Sequence, residues 1–360
     1  MKKRINTQLL KLNQEQIDTE VLAQAEAILR AGGLVAFPTE TVYGLGGDAF
    51  QEEASKKIYA AKGRPSDNPL IVHIGQMEDV DVIAGNISEQ ARQAMKTFWP
   101  GPLTVVLEKK EIVPDSTTGG LKSVAVRMPD NPITLALLRK TGIFMAGPSA
   151  NSSGKPSPTT AKHVQDDLDG KIDMILDGGA AGLGIESTIV DFTGEVPVIL
   201  RPGFITAERL SQVMGIEVDI DPSITEEGMM DDQLKPKAPG MKYKHYAPKA
   251  DMILVEGFDM ERVLEKVQQL VEEAQDKGLK VGVMTTIEHE HRYNKADVVK
   301  SVGSRQEDAT VAAGLYRVLR EFDESDVDVI YSEAFQQGEL SQAIMNRLLK
   351  AAGHQVLYAE

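Results

Sequence analysis

The sequence predicts an α/β protein in two parts: a twisted mixed sheet flanked by helices, with some α+β character, followed by a small Rossmann-like parallel α/β domain. Up to residue 215, short apolar runs are joined by both hairpin-length and helical connections, which favours a mixed sheet. Beyond residue 250, apolar runs alternate regularly with amphipathic helical patterns, which is typical of parallel strands with helical crossovers. We therefore expect domains at residues 1–215 and 250–360, joined by a linker at residues 216–249.

Composition excludes several kinds of site. The chain has 360 residues, of which 42% are hydrophobic, and a formal net charge of -15. So acidic a chain has no overall electrostatic attraction for nucleic acid or an anionic membrane, and any polyanion site has to be a local basic pocket. The absence of cysteine excludes disulfides, thiolate catalysis, iron–sulfur clusters and zinc–thiolate sites. No signal peptide or long apolar run is visible, so we expect a cytoplasmic protein without a membrane partner.

The first elements lead into a glycine-rich loop. Apolar residues on one helical face predict a helix at 15–31 that ends at Gly32-Gly33, and a strand follows at 34–37. The loop at 38–49 is dense in hydroxyls and glycines but lacks the terminal Gly-Lys-Ser/Thr of a Walker loop. Its glycines are expected to let the backbone approach a ligand or a neighbouring strand.

Residues 58–74 combine cationic and polar side chains in a helix, a loop and a strand. A helix beginning near Gln51 should close at Lys62, because Gly63 can adopt the left-handed conformation and Pro65 forbids continuation. The apolar run at 70–74 predicts a short buried strand. Lys62 and Arg64 suit a phosphate site, but they are equally compatible with a cation at a helix end and a solvated loop arginine.

The next segment is a helical region at 78–98, a rigid packed corner at Trp99, and strands at 103–107 and 123–127. Arg127 stands where the second of these strands ends. Its guanidinium could turn into a pocket or remain an ordinary cation at the sheet edge, and periodicity leaves both open.

A second polar loop follows a further strand. Asn131 should cap a helix that ends at Gly142, and a strand at 143–146 then runs into the Ser/Asn/Pro-rich loop at 147–160, before a helix at 161–168. Such loops often bind ligands in α/β proteins, although many are inert. Strands are predicted at 173–176, 189–192 and 198–200, and Thr206 should cap a helix that reaches residue 213.

The linker and the last domain carry two further features. The basic-aromatic stretch at 238–248 suggests docking onto something anionic. No Gly-x-Gly-x-x-Gly follows the first strand of the last domain, which excludes dinucleotide binding of that type. Glu288-His-Glu-His291 resembles a metal cluster, but we interpret it as a solvated charge run because no third ligand is in view. The elements predicted in this domain are strands at 252–255, 281–284 and 327–331 and helices at 260–274, 306–322 and 341–352.

Several motifs occur together. They are Pro38-Thr-Glu-Thr-Val-Tyr-Gly-Leu-Gly46, Lys62-Gly-Arg64 with Asp67-Asn-Pro69 and His73, Ser149-Ala-Asn151, Glu186-Ser-Thr188, Pro239-Gly-Met-Lys-Tyr-Lys-His-Tyr-Ala-Pro248 and Ala343-Ile-Met-Asn-Arg347. In combination they resemble the threonylcarbamoyl-AMP synthase family, in its long form with a YrdC-like catalytic domain and a C-terminal α/β domain. The resemblance runs from about residue 16 to the end of the chain.

The resemblance implies an activity and its partners. The family joins L-threonine, bicarbonate or CO2, and ATP with Mg2+ into threonylcarbamoyl-adenylate and pyrophosphate. A separate transferase complex then uses the adenylate to modify adenosine 37 (t6A) of tRNAs that read codons beginning with A, so stable tRNA binding is not expected of this chain.

The resemblance also implies site residues. For L-threonine they are Thr41, His73, Arg127, Gly147 and Ser187. For ATP they are Lys62, Arg64, Asn68, Ser123, Ser149, Asn151, Ser157, Arg201, Tyr243 and His245, with Lys62 and Arg64 as the catalytic pair and no metal ligand assigned. Gly147 departs from the alanine more usual in the family, and we expect the lost methyl to leave the backbone contacts intact.

Two alternatives remain for function. One is a non-enzymatic protein that binds double-stranded RNA in the same basic concavity, although the acidic balance opposes it. The other is carbamoyl transfer of the hydrogenase-maturation type, which shares the catalytic domain but is accompanied by acylphosphatase and zinc-finger modules that this sequence lacks.

Overall fold

A computed structural model describes residues 4–225, 236–239 and 246–360. The chain divides into two compact units. The first comprises Met1–Ser153, Pro158–Gly182 and Glu186–Lys242, and the second comprises Gly154–Ser157, Leu183–Ile185 and Tyr243–Glu360. Two short segments, Gly154–Ser157 and Leu183–Ile185, therefore belong to the second unit although the sequence on either side of them belongs to the first.

The first unit is built on one mixed sheet. Its strands in the described residues are β1 (Gln8–Lys11), β2 (Val35–Phe37), β3 (Gly44–Asp48), β4 (Ile71–His73), β5 (Ala84–Gly85), β6 (Leu103–Lys109), β7 (Ser123–Arg127), β8 (Met145–Gly147), β9 (Met174–Asp177), β10 (Thr188–Asp191), β11 (Val198–Arg201) and β12 (Asp219–Ile220). They are ordered β1-β9-β2-β3-β8-β4-β7-β6-β10-β11-β12, with β5 beside β6. The sheet contains parallel pairs such as β4/β7 and antiparallel pairs such as β6/β7, which confirms the predicted mixed sheet.

Helices flank this sheet. They are α1 (Thr19–Arg30), α2 (Glu52–Lys62), α3 (Val80–Ile83), α4 (Glu89–Phe98), α5 (Asp115–Thr118), α6 (Pro132–Thr141), α7 (Ala161–Leu168), α8 (Ala207–Met214) and α9 (Pro222–Thr225), with a 3-10 turn at Met77–Asp79. Helix α2 closes with Gly63 at φ 64°, and α6 has the Asn131 cap and a left-handed Gly142, both as predicted.

Three predictions for this unit are wrong in part. The glycine-rich loop at 38–49 contains strand β3, because a β-carbon on Gly44 would overlap the Phe37 ring of β2 and glycine lets the two strands approach. The helical region at 78–98 is interrupted, since β5 pairs with β6 and Ser88 starts a new helix by capping α4. Helix α1 begins later than predicted because Asp18 caps it. Two short elements, β12 and α9, lie within residues 216–249.

The two faces of the central strands differ. One face, with Val72, Val105, Val126 and Val190, packs into the main core cluster. The other face carries a small apolar cluster of Ile71, Val106, Ala125, Ile189, Leu200 and Ala238. Alternation along these central strands thus puts most of their hydrophobic burial on one side of the sheet and leaves room for polar groups on the other. On that second side, the neighbouring strands β2, β8 and β9 pack with α1 and α6 in a separate apolar cluster.

The second unit has a parallel sheet, as predicted. Its strands are β13 (Asp251–Glu256), β14 (Val281–Thr285), β15 (Val298–Ser301), β16 (Val329–Glu333) and β17 (Val356–Tyr358), and its helices are α10 (Met260–Asp276), α11 (Asp308–Glu324) and α12 (Ser341–Ala351). The order is β15-β14-β16-β13-β17, and every pair is parallel. Strands β15 and β17 are short and half-polar, so their apolar pattern was too weak to predict. Across all the described residues, no helix combines the length and the apolar character needed to cross a membrane.

A buried carboxylate organises the carboxyl ends of β14 and β16. Glu333 is fully buried and accepts hydrogen bonds from Thr285 Oγ1 (2.5 Å), Tyr293 OH (3.0 Å) and Arg305 Nη2 (2.7 Å). His289 Nδ1 lies 2.8 Å from Glu333 Oε2, the oxygen that also accepts from Arg305. These groups come from the end of β14, from the connection between β14 and β15 and from the loop after β15, so the carboxylate fixes this edge of the sheet.

The prediction that residues 288–291 form a solvated charge run is therefore wrong for Glu288 and His289. His289 contacts Glu333, and Glu288 accepts from the Ser304 hydroxyl and the Arg305 amide. Burial of Glu288 opposes its ionisation, but these hydrogen bonds outweigh that effect and lower its pKa to about 2. Within the described ranges there is no group of three His, Cys, Asp or Glu residues that could hold a metal ion.

We expect Glu333→Ala to lower the free energy of unfolding by about 3–5 kcal/mol, because it leaves Arg305 and three other donors without their acceptor. Urea denaturation of the full chain followed by far-UV circular dichroism measures the change. Glu339→Ala, at an exposed position, is the matched control and should alter stability by less than about 0.5 kcal/mol. Equal effects of the two substitutions would contradict a structural role for the Glu333 network.

Candidate active site

Strand register lines up polar side chains across five strands. His73 of β4 pairs with Arg127 of β7, Arg127 with Thr104 of β6, Thr104 with Ile189 of β10, and Ile189 with Arg201 of β11. Residues directly opposite one another project to the same face of a sheet. His73, Arg127, Thr104 and Arg201 are each at most 5% exposed. Together they form one buried polar row on the face opposite the main core, which we call the register row.

An irregularity between β10 and β11 brings Arg201 into the register row. Val190 pairs with Ile199, but Ile189 pairs with Arg201, so Leu200 is an extra residue in β11. In uninterrupted pairing Arg201 would lie opposite Thr188 and project to the other face. The bulge therefore places this arginine on the same face as Arg127.

His73 is neutral in the folded protein. Its Nδ1 lies 3.3 Å from the Met145 carbonyl oxygen, which can only accept, so Nδ1 carries the proton and Nε2 is an acceptor. The Phe37 ring meets the imidazole edge-on at 5.1 Å. Burial, and then the nearby charge of Arg127, lower the pKa of His73 to about 3.

Arg127 is buried, so it is not an ordinary solvated cation at the sheet edge. Its Nη2 donates to Glu40 Oε1 at 2.7 Å, and its Nε donates to the Gly101 carbonyl at 3.4 Å. Glu40 comes from the loop between β2 and β3. The ion pair therefore ties that loop to the end of β7.

Ser187 joins Thr104 to Arg201. Its hydroxyl lies 2.8 Å from Thr104 Oγ1 and accepts from Arg201 Nη2 at 3.2 Å, while its carbonyl accepts from Arg201 Nε at 3.1 Å. Arg201 Nη1 also donates to the Pro239 carbonyl at 3.4 Å. In the neighbouring part of the linker, Lys237 forms a 3.0 Å ion pair with Asp191, which fixes residues 236–239 against β10 and β11.

The two polar loops of the first unit are bonded to each other through their backbones. Thr39 Oγ1 accepts from the amides of Thr41 and Val42 and lies 2.9 Å from Thr41 Oγ1. Gly44 bridges to Ser149, and the Ala150 amide donates to the Tyr43 carbonyl at 2.8 Å. Thr41 is completely buried at the centre of this arrangement.

Lys62 holds the Ser149–Asn151 turn. The Lys62 ammonium donates to the Ser149 carbonyl (2.5 Å), the Asn151 carbonyl (2.5 Å) and Asn151 Oδ1 (3.2 Å). Ser149 Oγ donates to the same Asn151 Oδ1 at 2.6 Å. Because Lys62 is only 4% exposed, it is a buried cation at the end of α2 that holds a polar loop, and not a solvated helix end.

Three other predicted nucleotide residues lie at the opposite end of the central strands. Arg64 and Asn68, both buried, precede β4, and Arg64 Nη2 donates to the Pro69 carbonyl at 3.2 Å. Ser123 begins β7, two residues before the Ala125 that pairs with Ile71. His73 and Arg127 end the same two strands, so the structure separates these polar groups along strands only three and five residues long.

Gly147 occupies a position with no room for a side chain. It pairs with Ile71 of β4, and a β-carbon built on it would overlap the Leu45 carbonyl oxygen of β3. In this chain, glycine allows β8 to lie unusually close to β3.

Three further predicted nucleotide residues lie outside the described part of the first unit. Ser157 is buried and belongs to the second unit. Tyr243 and His245 lie outside the described residues.

Two residues of the site were missed from the sequence. Thr104 is the one hydroxyl inside the apolar strand at 103–107, and its place in the alternation could have marked it as facing the polar side. Glu40 was overlooked inside its loop motif, and only the distance to Arg127 reveals its contact.

The chain resembles known families and proteins along nearly its whole length. Residues 27–203 match the family described as "Telomere recombination", and residues 205–353 match "Threonylcarbamoyl-AMP synthase, C-terminal domain". The chain is 51% identical to the threonylcarbamoyl-AMP synthase of Bacillus subtilis, over 93% of this chain and 94% of that protein. It is 46% identical to the protein of the same name from Pyrococcus abyssi, over 95% and 97%. The crystal structure of Pyrococcus abyssi Sua5 complexed with L-threonine superposes with a TM-score of 0.91 at 45% identity, covering 98% of this chain and 100% of that one.

We expect Gly147→Ala to destabilise the first unit by about 1–3 kcal/mol, because β3 and β8 must move apart to admit a methyl group. Denaturation followed by the fluorescence of Trp99, the single tryptophan of the chain, reports on this unit. Gly182→Ala is the control, since nothing lies within reach of its added methyl. An unchanged midpoint for Gly147→Ala would show that the strand separation adjusts freely.

We expect His73 to make the first unit sensitive to acid. An unfolded chain protonates its histidines near pH 6.5, whereas folded His73 stays neutral down to about pH 3. The unfolded state binds the extra proton between these values, so this contribution to stability is complete above about pH 6.5 and is lost as the pH falls. His73→Asn should reduce the decline in unfolding free energy between about pH 7 and about pH 5 by roughly 2 kcal/mol.

Trp99 fluorescence in urea at the two pH values measures this decline. His291→Asn, at an exposed position, should leave the decline as in the unsubstituted protein. A His73→Asn variant with the same decline as the unsubstituted protein would mean that His73 is protonated in the fold.

Proposed function

We propose a function on one premise: the chain belongs to the threonylcarbamoyl-AMP synthase family and carries both of the family's domains. The function is the ATP-dependent synthesis of threonylcarbamoyl-AMP from L-threonine, bicarbonate or CO2, and ATP, with release of pyrophosphate. The observation that carries this proposal is the register row, in which a neutral histidine and two arginines are buried on one face of the sheet.

The histidine end of the row suits L-threonine. The guanidinium of Arg127 can bind the threonine carboxylate, and its fork favours a planar anion. Neutral His73 offers Nε2 as an acceptor for the threonine hydroxyl, and analogues without that hydroxyl would leave the buried acceptor unpaired. Thr41, Ser187 and the backbone at Gly147 would complete this part of the site.

The remaining polar groups suit ATP. Arg64, Arg201 and Lys62 are buried cations that can neutralise phosphate charge, and Lys62 would also act through the loop it holds. Asn68, Ser123, Ser149, Asn151 and Ser157 would supply hydrogen bonds to the nucleotide, and Tyr243 and His245 of the linker would lie over it. Mg2+ enters as part of the MgATP substrate, because Mg2+ in such sites is held largely by phosphate oxygens and the described residues offer no cluster of carboxylates for it.

The reaction mainly requires that the substrates be held in the correct relative positions. Threonine's amine adds to CO2 and loses a proton to give a carbamate, and a carbamate oxygen then attacks the α-phosphorus while the bond to pyrophosphate breaks. Effective molarity and neutralisation of developing charge account for the acceleration in reactions of this kind. A site rich in fixed cations and hydroxyls, without a nucleophile and base pair, fits that demand.

The rival functions fit the site less well. Double-stranded RNA binds to exposed cations along a surface, whereas Arg127, Arg201 and Lys62 are each at most 5% exposed. Carbamoyl transfer of the hydrogenase-maturation type is disfavoured by the second half of the chain, which matches the C-terminal domain of threonylcarbamoyl-AMP synthase. Through the family resemblance we further propose that a transferase complex receives the adenylate for t6A at position 37 of tRNAs reading ANN codons, without stable tRNA binding by this chain.

The test of the activity is pyrophosphate release by the purified protein with ATP, L-threonine and bicarbonate. We expect release only when all three are present, together with formation of threonylcarbamoyl-AMP detected by mass spectrometry. Release that ignores threonine and bicarbonate would refute the proposal. Loss of t6A from cellular tRNA on depletion of the protein, restored by the intact gene, tests the proposed use of the product.

We expect Arg64→Ala to reduce the rate of pyrophosphate release at least about 100-fold in a folded protein, because it removes a cation proposed to face phosphate. Arg92→Ala, which removes a half-exposed arginine paired with Asp81, is the control and should retain full activity. An active Arg64→Ala enzyme would remove Arg64 from the phosphate site.

A further inference from the structure

Glu40 has one carboxylate oxygen that is satisfied and one that is not. Oε1 accepts from Arg127 Nη2 at 2.7 Å. Oε2 is buried and has no hydrogen-bond partner among the residues that the structure describes. A buried carboxylate oxygen without a donor is unfavourable, so the site is completed when a donor arrives from outside the chain.

The surroundings of this oxygen favour a cationic donor. Glu40 is one of two carboxylates at this place, since burial and then the charge of Glu40 raise the pKa of Asp130. Arg127 is the positive partner of Glu40, and its Nη1 atom makes no hydrogen bond with the described residues. An open guanidinium donor and an open carboxylate oxygen thus lie side by side at the histidine end of the register row.

This combination matches the two charged groups that every free α-amino acid carries. A carboxylate and an ammonium separated by a single carbon can engage an arginine and a glutamate that are themselves in contact. His73 beside them is neutral and does not compete for either charge. An analogue with a carboxylate but no ammonium would satisfy Arg127 and leave Glu40 Oε2 unpaired.

We propose that Glu40 accepts a hydrogen bond from the α-ammonium group of threonine while Arg127 binds its carboxylate. This inference rests on the proposed function and adds to it a residue that determines specificity. It makes Glu40 the group by which the site requires an α-amino acid, whereas His73 and its neighbours read the side-chain hydroxyl. Glu40 also fixes the position of the nitrogen that later attacks CO2.

The test is calorimetric titration with two ligands, L-threonine and (R)-3-hydroxybutyrate, which keeps the carboxylate, hydroxyl and methyl groups but lacks the ammonium. The unsubstituted protein should bind threonine more tightly than the analogue. Glu40→Gln should weaken threonine binding by about 10- to 100-fold, which is the usual effect of losing a hydrogen bond to a charged group. The same substitution should change the affinity for the analogue by less than about 2-fold. Glu195→Gln, at an exposed position of the same unit, is the matched control and should alter neither affinity.

The outcomes distinguish recognition of the ammonium group by Glu40 from a purely structural role of Glu40. Equal weakening of both ligands by Glu40→Gln would overturn the inference, because Glu40 would then only hold Arg127 in place. Equal affinity of the unsubstituted protein for the two ligands would overturn it as well. Failure of the unsubstituted protein to bind threonine at all would instead reject the proposed function, and this inference with it.

A second variant keeps the inference testable if Glu40→Gln fails to fold, which circular dichroism would detect. Glu40→Asp keeps the charge on a shorter side chain. If Glu40 reads the ammonium, this variant should still prefer threonine over (R)-3-hydroxybutyrate. Loss of the preference in a folded Glu40→Asp protein would count against the inference.

Discussion

Two arginines and a histidine lie buried in one register row of the first sheet, and the surrounding structure depends on satisfying them. Burying a guanidinium without acceptors is costly, so each arginine is surrounded by oxygen atoms. Arg127 donates to Glu40 and Gly101, and Arg201 donates to Ser187 and Pro239. These acceptors belong to loops and to the linker, not to the strands themselves. The charges therefore fix the positions of otherwise irregular segments, which are the segments that would surround a substrate.

The division of the sheet into two unequal faces makes this possible. The face with Val72, Val105 and Val126 supplies most of the hydrophobic burial of the unit. On the other face, the central strands carry only the small apolar cluster around Ile71 and Leu200 beside the polar row, while β2, β8 and β9 pack with α1 and α6. Stability and the proposed function thus draw on alternate residues of the same short strands.

Local rules predicted the parts of the fold that depend on a few neighbouring residues. The left-handed Gly63 and Gly142, the Asn131 cap and the regular second unit follow from capping preferences and periodicity. Strand β3 escaped prediction because its glycines are selected by the ring of Phe37 on another strand. The contact between Glu40 and Arg127, and the role of His289 beside Glu333, depend on residues far apart in sequence. The proposed site residues come from the combination of motifs, since no single motif distinguishes a ligand-binding loop from an ordinary one.

The bulge in β11 decides which face of the sheet receives Arg201. Ile199 packs in the main core, and simple alternation would put Arg201, two residues later, on that same hydrophobic face. The extra residue, Leu200, reverses this assignment. A relative one residue shorter at Leu200 would pair its arginine with Ile189 without a bulge and keep it on the polar face, whereas a relative that keeps Leu200 but pairs regularly would turn its arginine toward the core. In comparing relatives of this protein, the pairing of β10 with β11 is therefore as informative as the arginine itself.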